Sequence, residues 1–352
     1  MKRRYAILAN GHFATDAKTA HGVVAYASDE TVAVIDPVSA GKTVREVVPY
    51  LNSDAPIVAS LAEALRFEPT ALLIGTAPIG GGLPADWRAE IFAAIDAKLE
   101  IVSGLHDQLG SDTEFKLAAQ RAGTTIWDVR EPPDVPIFSG AVYRVAAPIL
   151  LLVGNDCSVG KMTVALELCR AAERAGAKAV FVPTGQTGIM IAGWGISVDR
   201  VIADFAPGAA ESLVLYAARS KPDLIVVEGQ GAINHPAYGP VTLALMYGAA
   251  PDSLVLVVDP LRDRVSGYTT PTLGYDELIR THESLLGNVK PARVIGVSIN
   301  TKAFTDARAR AEIARARNET GLPADDVVRY GPDAFYRAIA PQLAHKGQPC
   351  AV

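Results

Sequence analysis

A glycine-rich segment, GNDCSVGKMT (Gly154–Thr163), has the residue types and spacing of a phosphate-binding loop. It follows the apolar run Pro148–Val153 and precedes a stretch of helical periodicity. Backbone N–H groups of such a turn, and of the helix start after it, converge on an anion, and Lys161 adds a positive charge. The segment therefore predicts a site for a phosphate-bearing ligand.

The segment departs from the loop of nucleotide-hydrolysing proteins at two points. Those proteins have a glycine, four residues and Gly-Lys followed by Ser or Thr, whereas five residues separate Gly154 from Gly160 here and Met162 follows the lysine. Because the missing hydroxyl helps to hold Mg²⁺ during phosphoryl transfer, we expect this loop to hold its ligand without efficient hydrolysis. The predicted cofactor-binding residues are Asn155, Asp156, Cys157, Ser158, Val159, Gly160, Lys161, Met162 and Thr163.

A second segment, PDLIVVEGQGAINHP (Pro222–Pro236), matches the acidic strand that accompanies such a loop. Four apolar residues end in Glu228, and a parallel sheet forms its ligand crevice outside the carboxyl ends of its strands. We therefore expect Glu228 and Gln230 to face the phosphate loop. His235 is the histidine nearest in sequence to these strand ends, so it is the first candidate for a general base, with Glu228 as the other.

Two loop segments carry residue types that could bind a small substrate. FVPTGQTGIMIAGWG (Phe181–Gly195) and VVDPLRDRVSGYTTPTLGYDEL (Val257–Leu278) each begin at a predicted strand end. Arginine pairs with planar carboxylates or phosphates, and backbone beside glycine can approach a ligand closely. An ordinary loop is the open alternative for the first segment, and a solvated charged loop for the second. The predicted substrate-binding residues are Gln186, Thr187, Gln230, Asp259, Arg262 and Arg264.

Short apolar runs alternate with helical patterns along the chain, which is typical of parallel βαβ units. The proline-rich stretch Val129–Pro148 has neither periodicity and is the best linker. The sequence therefore predicts two doubly wound parallel-sheet α/β domains, Rossmann-like at residues 1–140 and P-loop NTPase-like at residues 141–352. In the second domain, strands are predicted at 149–153, 177–182, 199–203, 224–227, 253–258 and 293–299, and helices at 160–175, 209–219, 240–247, 275–286, 305–317 and 332–340.

Composition limits the partners and the location. A chain of 352 residues exceeds one ordinary core, and 49% hydrophobic with 20% charged residues describes a globular protein. A net charge of −5 gives no general attraction to nucleic acid or anionic lipid. No apolar run approaches the roughly 20 residues that cross a bilayer, and the N-terminal run is too short for a signal peptide. We therefore expect a cytoplasmic protein that acts on a small molecule and binds neither nucleic acid nor membranes.

Metal and dinucleotide sites find little support in the sequence. The spacing of Cys157, Cys169 and Cys350 indicates neither a metal site nor a disulfide framework, so we expect no metal. An acidic residue, Asp36, ends the second predicted strand, as in dinucleotide-binding folds. The glycine fingerprint of those folds is absent, which argues against NAD.

The second half is similar to the dethiobiotin synthetase and cobyrinic acid synthase branch of P-loop proteins. That branch has a glycine, five residues and Gly-Lys, and its acidic strand is followed by Glu-Gly and further glycines. Gly154, Gly160 and Lys161 fit the first pattern, and the run EGQG (Glu228–Gly231) fits the second. Met162 departs from the branch where its members have the Mg²⁺-binding Thr.

Nearly the whole chain resembles a bacterial and archaeal family once known only as a domain of unknown function. The resemblance rests on KTAHG, GTAPIGGGLP, IVSGLHDQL, DVREPP, GNDCSVGKMT and EGQGAINHP. Some members of that family are described as D-glutamate N-acetyltransferases. The resemblance implies acetyl transfer from acetyl-CoA to the amine of D-glutamate, an entry step in D-glutamate catabolism, with the CoA phosphates held by the P-loop domain.

The roles of individual residues in this chemistry follow from residue type. Arg262 or Arg264 would hold a substrate carboxylate. His235 or Glu228 would take the amine proton during direct attack on the thioester. Cys157 as an acetyl-carrying nucleophile is the alternative route.

Other functional classes stay open at this stage. An ATP-dependent ligase or small-molecule kinase of the dethiobiotin synthetase type would use ATP and Mg²⁺, with Thr163 supplying the missing hydroxyl. A nucleotide-binding sensor without turnover is a second class, and an NAD-dependent oxidoreductase a third. We expect a homo-oligomer from the two-domain surface and the many short apolar loops, since most soluble oligomers are built from identical chains.

Overall fold

The computed structural model describes residues 2–76 and 83–343. The chain divides into two compact units, the first formed by residues 1–132 with 186–197 and the second by residues 133–185 with those from 198 onward. Residues 77–82 of the GTAPIGGGLP motif, and Cys350, lie outside the described residues.

The first unit is built on six parallel strands with helices between them. The strands are β1 (Arg4–Leu8), β2 (Glu30–Ile35), β3 (Ile57–Val58), β4 (Ala71–Ile74), β5 (Glu100–Ser103) and β6 (Ile126–Asp128). The helices are α1 (Lys18–Tyr26), α2 (Val44–Val47), α3 (Leu61–Ala64), α4 (Trp87–Asp96) and α5 (Thr113–Ala122). The sheet order is β3-β2-β1-β4-β5-β6, which is that of a doubly wound dinucleotide-type fold.

Asp36, directly after β2, shows how this unit differs from a dinucleotide site. Its side chain is fully buried. The carboxylate accepts hydrogen bonds from the backbone N–H groups of Gly11, Phe13 and Val38, each at 3.0 Å. In dinucleotide-binding folds the acidic residue at this place binds ribose hydroxyls. Here both carboxylate oxygens hold the turn after β1 instead.

The second unit is also built on six parallel strands. The strands are β7 (Ile149–Gly154), β8 (Ala179–Val182), β9 (Leu224–Val227), β10 (Ser253–Val258), β11 (Arg293–Ile299) and β12 (Ala324–Asp325). The helices are α6 (Lys161–Arg174), α7 (Gln186–Ala192), α8 (Ala206–Ala218), α9 (Gly239–Ala249), α10 (Tyr275–Gly287), α11 (Asp306–Thr320) and α12 (Asp333–Leu343). Of these helices, α7 belongs to the first unit.

The strand order of the second sheet places the phosphate loop at its centre. The order is β12-β11-β10-β7-β9-β8, and every residue of β7 and β10 is buried, as expected for continuous apolar runs in a parallel sheet. The chain leaves β7 toward β8 and leaves β10 toward β11, so the two connections run in opposite directions. The ligand crevice of such a sheet lies at this switch point, outside the carboxyl ends of β7 and β10.

The two predicted α/β folds are confirmed, and two local predictions are wrong. The predicted strand at 199–203 is replaced by two 3₁₀ turns, Val198–Arg200 and Ala203–Phe205, because most of its residues are exposed and cannot form a buried strand. Gln186 and Thr187, expected in a strand-end loop, are the first residues of α7. Among the described residues, no helix has both the length and the apolar character needed to cross a membrane.

A buried histidine on α10 makes the second unit sensitive to acid. His282 is fully buried, its Nδ1–H donates to Leu278 O at 2.7 Å, and its Nε2 has no hydrogen-bond partner among the described residues. Burial lowers the pKa of His282 from 6.5 to about 4, the bond to Leu278 opposes this shift, and the Lys161 ammonium adds to it. Because the folded pKa lies below the unfolded one, the unfolded chain binds the proton first, and stability falls as the pH drops through this range.

We predict a smaller loss of stability in acid for the variant His282→Asn, whose amide can still donate to Leu278. Between about pH 7.5 and about pH 5, the free energy of unfolding of the wild type should fall by about 2 kcal/mol more than that of the variant. Urea unfolding of both proteins at the two pH values measures the difference. The same pH dependence in both proteins would show that His282 titrates alike in the folded and unfolded chains.

Candidate functional site

The phosphate loop connects β7 to α6 and needs glycine at its ends. A Cβ at Gly154 would lie 2.6 Å from Val257 O, and Gly160 has a φ of +114°. Gly160 has no side chain to cap α6, and the first N–H groups of a helix have no acceptor within the helix. The N–H groups of Met162 and Thr163 therefore point to the place where an anion binds at a helix start.

Lys161 ties the loop to the turn after β9. Its side chain is 5% exposed, and Nζ donates to Asp156 O at 2.8 Å and to Gly231 O at 2.7 Å. Gly229 makes this arrangement possible, because a Cβ there would lie 1.6 Å from Leu152 O and 3.1 Å from Lys161 Cδ. The loop is therefore held in its cradle shape by the protein itself.

Met162 occupies the position where nucleotide-hydrolysing loops have a hydroxyl. Its side chain is 8% exposed and belongs to the buried residues of α6. Mg²⁺ binds oxygen ligands, which a buried thioether does not provide. Thr163, the next residue, is half-buried on the first turn of α6. The loop keeps the elements of anion binding and lacks the usual metal-binding hydroxyl.

A segment after β10, which we call the hairpin segment (residues 259–274), is fastened to the loop. The Asn155 side chain pairs with the backbone of Asp259, donating to its carbonyl at 3.0 Å and accepting from its N–H at 3.1 Å. The fully buried carboxylate of Asp156 accepts from Ser266 N at 3.0 Å and from Ser266 Oγ at 2.6 Å. Two consecutive loop residues thus fix both the start and the tip of the hairpin segment.

His235 holds the same hairpin tip from the other side. Its Nδ1 accepts from the N–H groups of Ala237 and Tyr238, each at 3.2 Å, so its proton lies on Nε2, 3.2 Å from Ser266 O. The ring is 2% exposed. Both nitrogens of His235 therefore have backbone partners, and the ring acts as a hydrogen-bond donor to the hairpin segment.

Three potential metal ligands meet at this point. One ligand atom each from Asp156, Cys157 and His235 lie within 4.8 Å of one another. The lone pair of His235 is engaged by backbone N–H groups, and Asp156 Oδ2 already has Arg262 Nη1 at 3.7 Å. A metal ion would have to displace these partners. We call the hydrogen bonds that join Asp156 and His235 to Ser266 the clasp. Cys157, next to Asp156 in the chain, is half-buried.

Glu228 and Gln230 fasten the turn after β8. Glu228 is 7% exposed, and its Oε2 accepts from Thr184 N at 3.0 Å and Gly185 N at 3.3 Å. Gln230 Nε2 donates to Thr184 O at 2.6 Å. Both side chains therefore bind backbone groups of the turn after β8.

The remaining predicted residues fall in different surroundings. Arg262 lies at the clasp, with Nε 3.4 Å from Asp259 Oδ2 and Nη1 3.2 Å from Ser266 Oγ, whereas Arg264 is exposed and bonds Thr269 O at 2.6 Å. Gln186 and Thr187 belong to the first unit, where Thr187 Oγ1 lies 3.0 Å from Thr19 Oγ1.

Sequence reasoning missed two residues that organise this site. Ser266 joins Asp156 to His235, and Asn234 Nδ2 donates to Pro271 O at 2.9 Å. A serine or asparagine in a polar loop gives no periodic signal, and the partners of Ser266 are distant in sequence. The position of Asn234 beside the candidate base is the one clue that the sequence offers.

A parallel sheet with a glycine-rich, lysine-bearing loop at its switch point defines the second unit as a P-loop domain, and the strand order of the first unit is Rossmann-like. Two domain descriptions match the chain: "Domain of unknown function (DUF1611_N) Rossmann-like domain" over residues 37–132 and "Domain of unknown function (DUF1611_C) P-loop domain" over residues 136–336. The chain belongs to this DUF1611 family.

Two curated relatives carry the name D-glutamate N-acetyltransferase. The protein from Tritonibacter scottomollicae is 36% identical over 286 residues, covering 80% of this chain and 84% of the relative. The protein from a Pseudoalteromonas species is 35% identical over 278 residues, covering 78% and 83%. The crystal structure of a DUF1611 family protein from Anabaena variabilis has a TM-score of 0.91 at 36% identity, over 97% of this chain and 100% of that one. The resemblance noted in the sequence is thereby confirmed.

We predict that His235 stabilises the hairpin segment as a donor. In His235→Ala, amide hydrogen exchange across residues 259–274 should become about fivefold faster, because one hydrogen bond contributes about 1 kcal/mol. His235→Gln, whose side-chain N–H can replace Nε2–H, should exchange nearly as the wild type does. His12→Ala, at an exposed histidine of the first unit, is the control. Unchanged exchange in His235→Ala contradicts the assignment.

Proposed function

We propose that this protein transfers the acetyl group of acetyl-CoA to the amine of D-glutamate. The name shared by two relatives at 36% and 35% identity supports a related acetyltransferase activity. The observation that carries the proposal in this chain is the phosphate loop, which keeps Lys161 and the anion-binding backbone but has buried Met162 in place of the hydroxyl. Such a loop suits a ligand whose phosphates are held and not cleaved.

CoA fits this requirement because its phosphates serve only for binding. In the proposal, the N–H groups at the start of α6 and the Lys161 ammonium face a phosphate of CoA. Acetyl transfer then needs neither Mg²⁺ nor an in-line attack on phosphorus. The reaction forms an amide between the acetyl carbon and the amine nitrogen, breaks the thioester bond and releases free CoA thiol together with the amine proton.

Backbone groups already engage both candidate bases. Glu228 and His235 are each hydrogen-bonded to the backbone of neighbouring turns. We therefore propose that both position these turns, and that another group accepts the amine proton.

We predict that purified protein releases free thiol from acetyl-CoA only when D-glutamate is present. The same protein with ATP, Mg²⁺ and D-glutamate should release no ADP. Thiol and ADP are followed in parallel, with L-glutamate as the stereochemical control. Release of ADP that depends on a carboxylate or amine substrate would instead favour the ATP-dependent ligase.

We predict that Lys161→Ala weakens binding of CoA by about tenfold or more, since a charge-assisted bond to phosphate is lost. Acetyl-pantetheine, which lacks the phosphates that contact the loop, should bind the variant and the wild type alike. Isothermal titration measures both ligands, and thermal unfolding checks that the variant is folded. Unaltered CoA affinity in a folded variant removes the phosphate role of Lys161.

A further inference from the structure

A cavity of about 170 Å³ opens beside the phosphate loop at the carboxyl end of β10. Its lining includes Asn155 on the phosphate loop, Asp259 and Arg262 on the hairpin segment, and Arg315 and Glu319 on α11. Pockets for large ligands are several hundred Å³, so this cavity suits one small metabolite and is too small for CoA. Another cavity, of about 190 Å³, lies around Asp223 at the amino ends of β7 and β9, away from the crevice where such folds bind ligands.

Arg262 is held in place inside this cavity with one nitrogen, Nη2, uncommitted. Its Nε lies 3.4 Å from Asp259 Oδ2, and its Nη1 lies 3.2 Å from Ser266 Oγ and 3.7 Å from Asp156 Oδ2, while Nη2 makes no hydrogen bond within the described part of the chain. A guanidinium fixed by its partners loses little freedom when it pairs with a carboxylate. Arg262 is therefore prearranged for a carboxylate ligand.

The start of α10 adds a second anion-binding feature. Gly274 and Tyr275 line the cavity, and Gly274 precedes the helix without a side chain to cap it. The N–H groups of such a helix start carry a partial positive charge. Tyr275 is 8% exposed, and its hydroxyl has no hydrogen-bond partner among the described residues.

The charges around the cavity are of both signs. Arg262 lies against Asp156 and Asp259, and Arg315 pairs with Glu312 and, through Nη1 at 3.5 Å, with Glu319 Oε1. A simple anion could pair with the arginines only. An acidic amino acid carries an amine as well as carboxylates, so its amine can pair with the cavity's carboxylates and its carboxylates with the arginines.

We propose that this cavity binds the acceptor amino acid, with Arg262 pairing with its side-chain carboxylate. The assignment rests on the proposed function, since acetyl transfer requires an amine acceptor near the CoA site. Arg262, and not the exposed Arg264, then sets the preference for an acidic over a neutral amino acid.

Steady-state kinetics of Arg262→Gln test the assignment. The KM for D-glutamate should rise by about tenfold or more, as expected for loss of a charged hydrogen bond, while the KM for acetyl-CoA stays unchanged. The preference for D-glutamate over D-glutamine, measured as the ratio of kcat/KM values, should fall by a similar factor. Arg310→Gln, at an exposed arginine of α11 paired with Asp306, is the matched control.

A second variant keeps the test valid if Arg262→Gln fails to fold. A Cβ at Gly274 meets no atom within 4 Å, and its φ of −70° suits any residue, so Gly274→Leu should obstruct the cavity without strain. It should raise the KM for D-glutamate as well. Gly287→Leu, at the last residue of α10, where a Cβ also meets no atom within 4 Å, should leave it unchanged.

The outcomes separate this assignment from the proposed function. If the wild type turns over but neither variant changes the KM for D-glutamate, or only that for acetyl-CoA changes, the cavity assignment is overturned and acetyl transfer stands. If the wild type does not turn over, calorimetric titration with D-glutamate alone decides. Binding that is lost in Arg262→Gln and Gly274→Leu but kept in Gly287→Leu supports the cavity and refutes acetyl transfer; absence of binding overturns the cavity assignment.

Discussion

The second unit depends on one buried ammonium group, that of Lys161. A cation that is 5% exposed has lost most of its water, and its bonds to Asp156 O and Gly231 O replace that hydration. The position of this ammonium group constrains two neighbouring residues. Gly229 must lack a side chain because the lysine stem and Leu152 O occupy the space of a Cβ. His282 must stay neutral, since burial and the same ammonium both lower its pKa.

Holding an anion and cleaving a phosphate are separable tasks in this loop. The first uses backbone N–H groups, whose direction is set by the turn and the helix, and so it depends on Gly154, Gly160 and the lysine. The second adds a side-chain oxygen for Mg²⁺. Replacing that oxygen by buried Met162 removes only the second task, because the backbone N–H groups that hold an anion do not depend on the side chain at this position.

The sequence predicts those parts of the structure that repeat or that are local. The buried runs of β7 and β10, the glycine spacing of the loop and the start of α6 are all visible within a few residues. The clasp is not, because Asp156 and Ser266 are 110 positions apart and are joined only by the fold. Nor does the sequence reveal the tautomer of His235, which is set by two backbone N–H groups, or the different surroundings of Arg262 and Arg264.

Several polar residues at strand ends that the sequence marks as candidate site residues bind backbone groups in the fold. Parallel strands end together, so their loops bring many unpaired backbone groups to one edge. Asn155, Asp156, Glu228 and His235 each satisfy such groups in a neighbouring loop. Because these bonds exist before any ligand arrives, the loop and the hairpin segment form one preorganised surface. A ligand that binds there spends little free energy on ordering the protein.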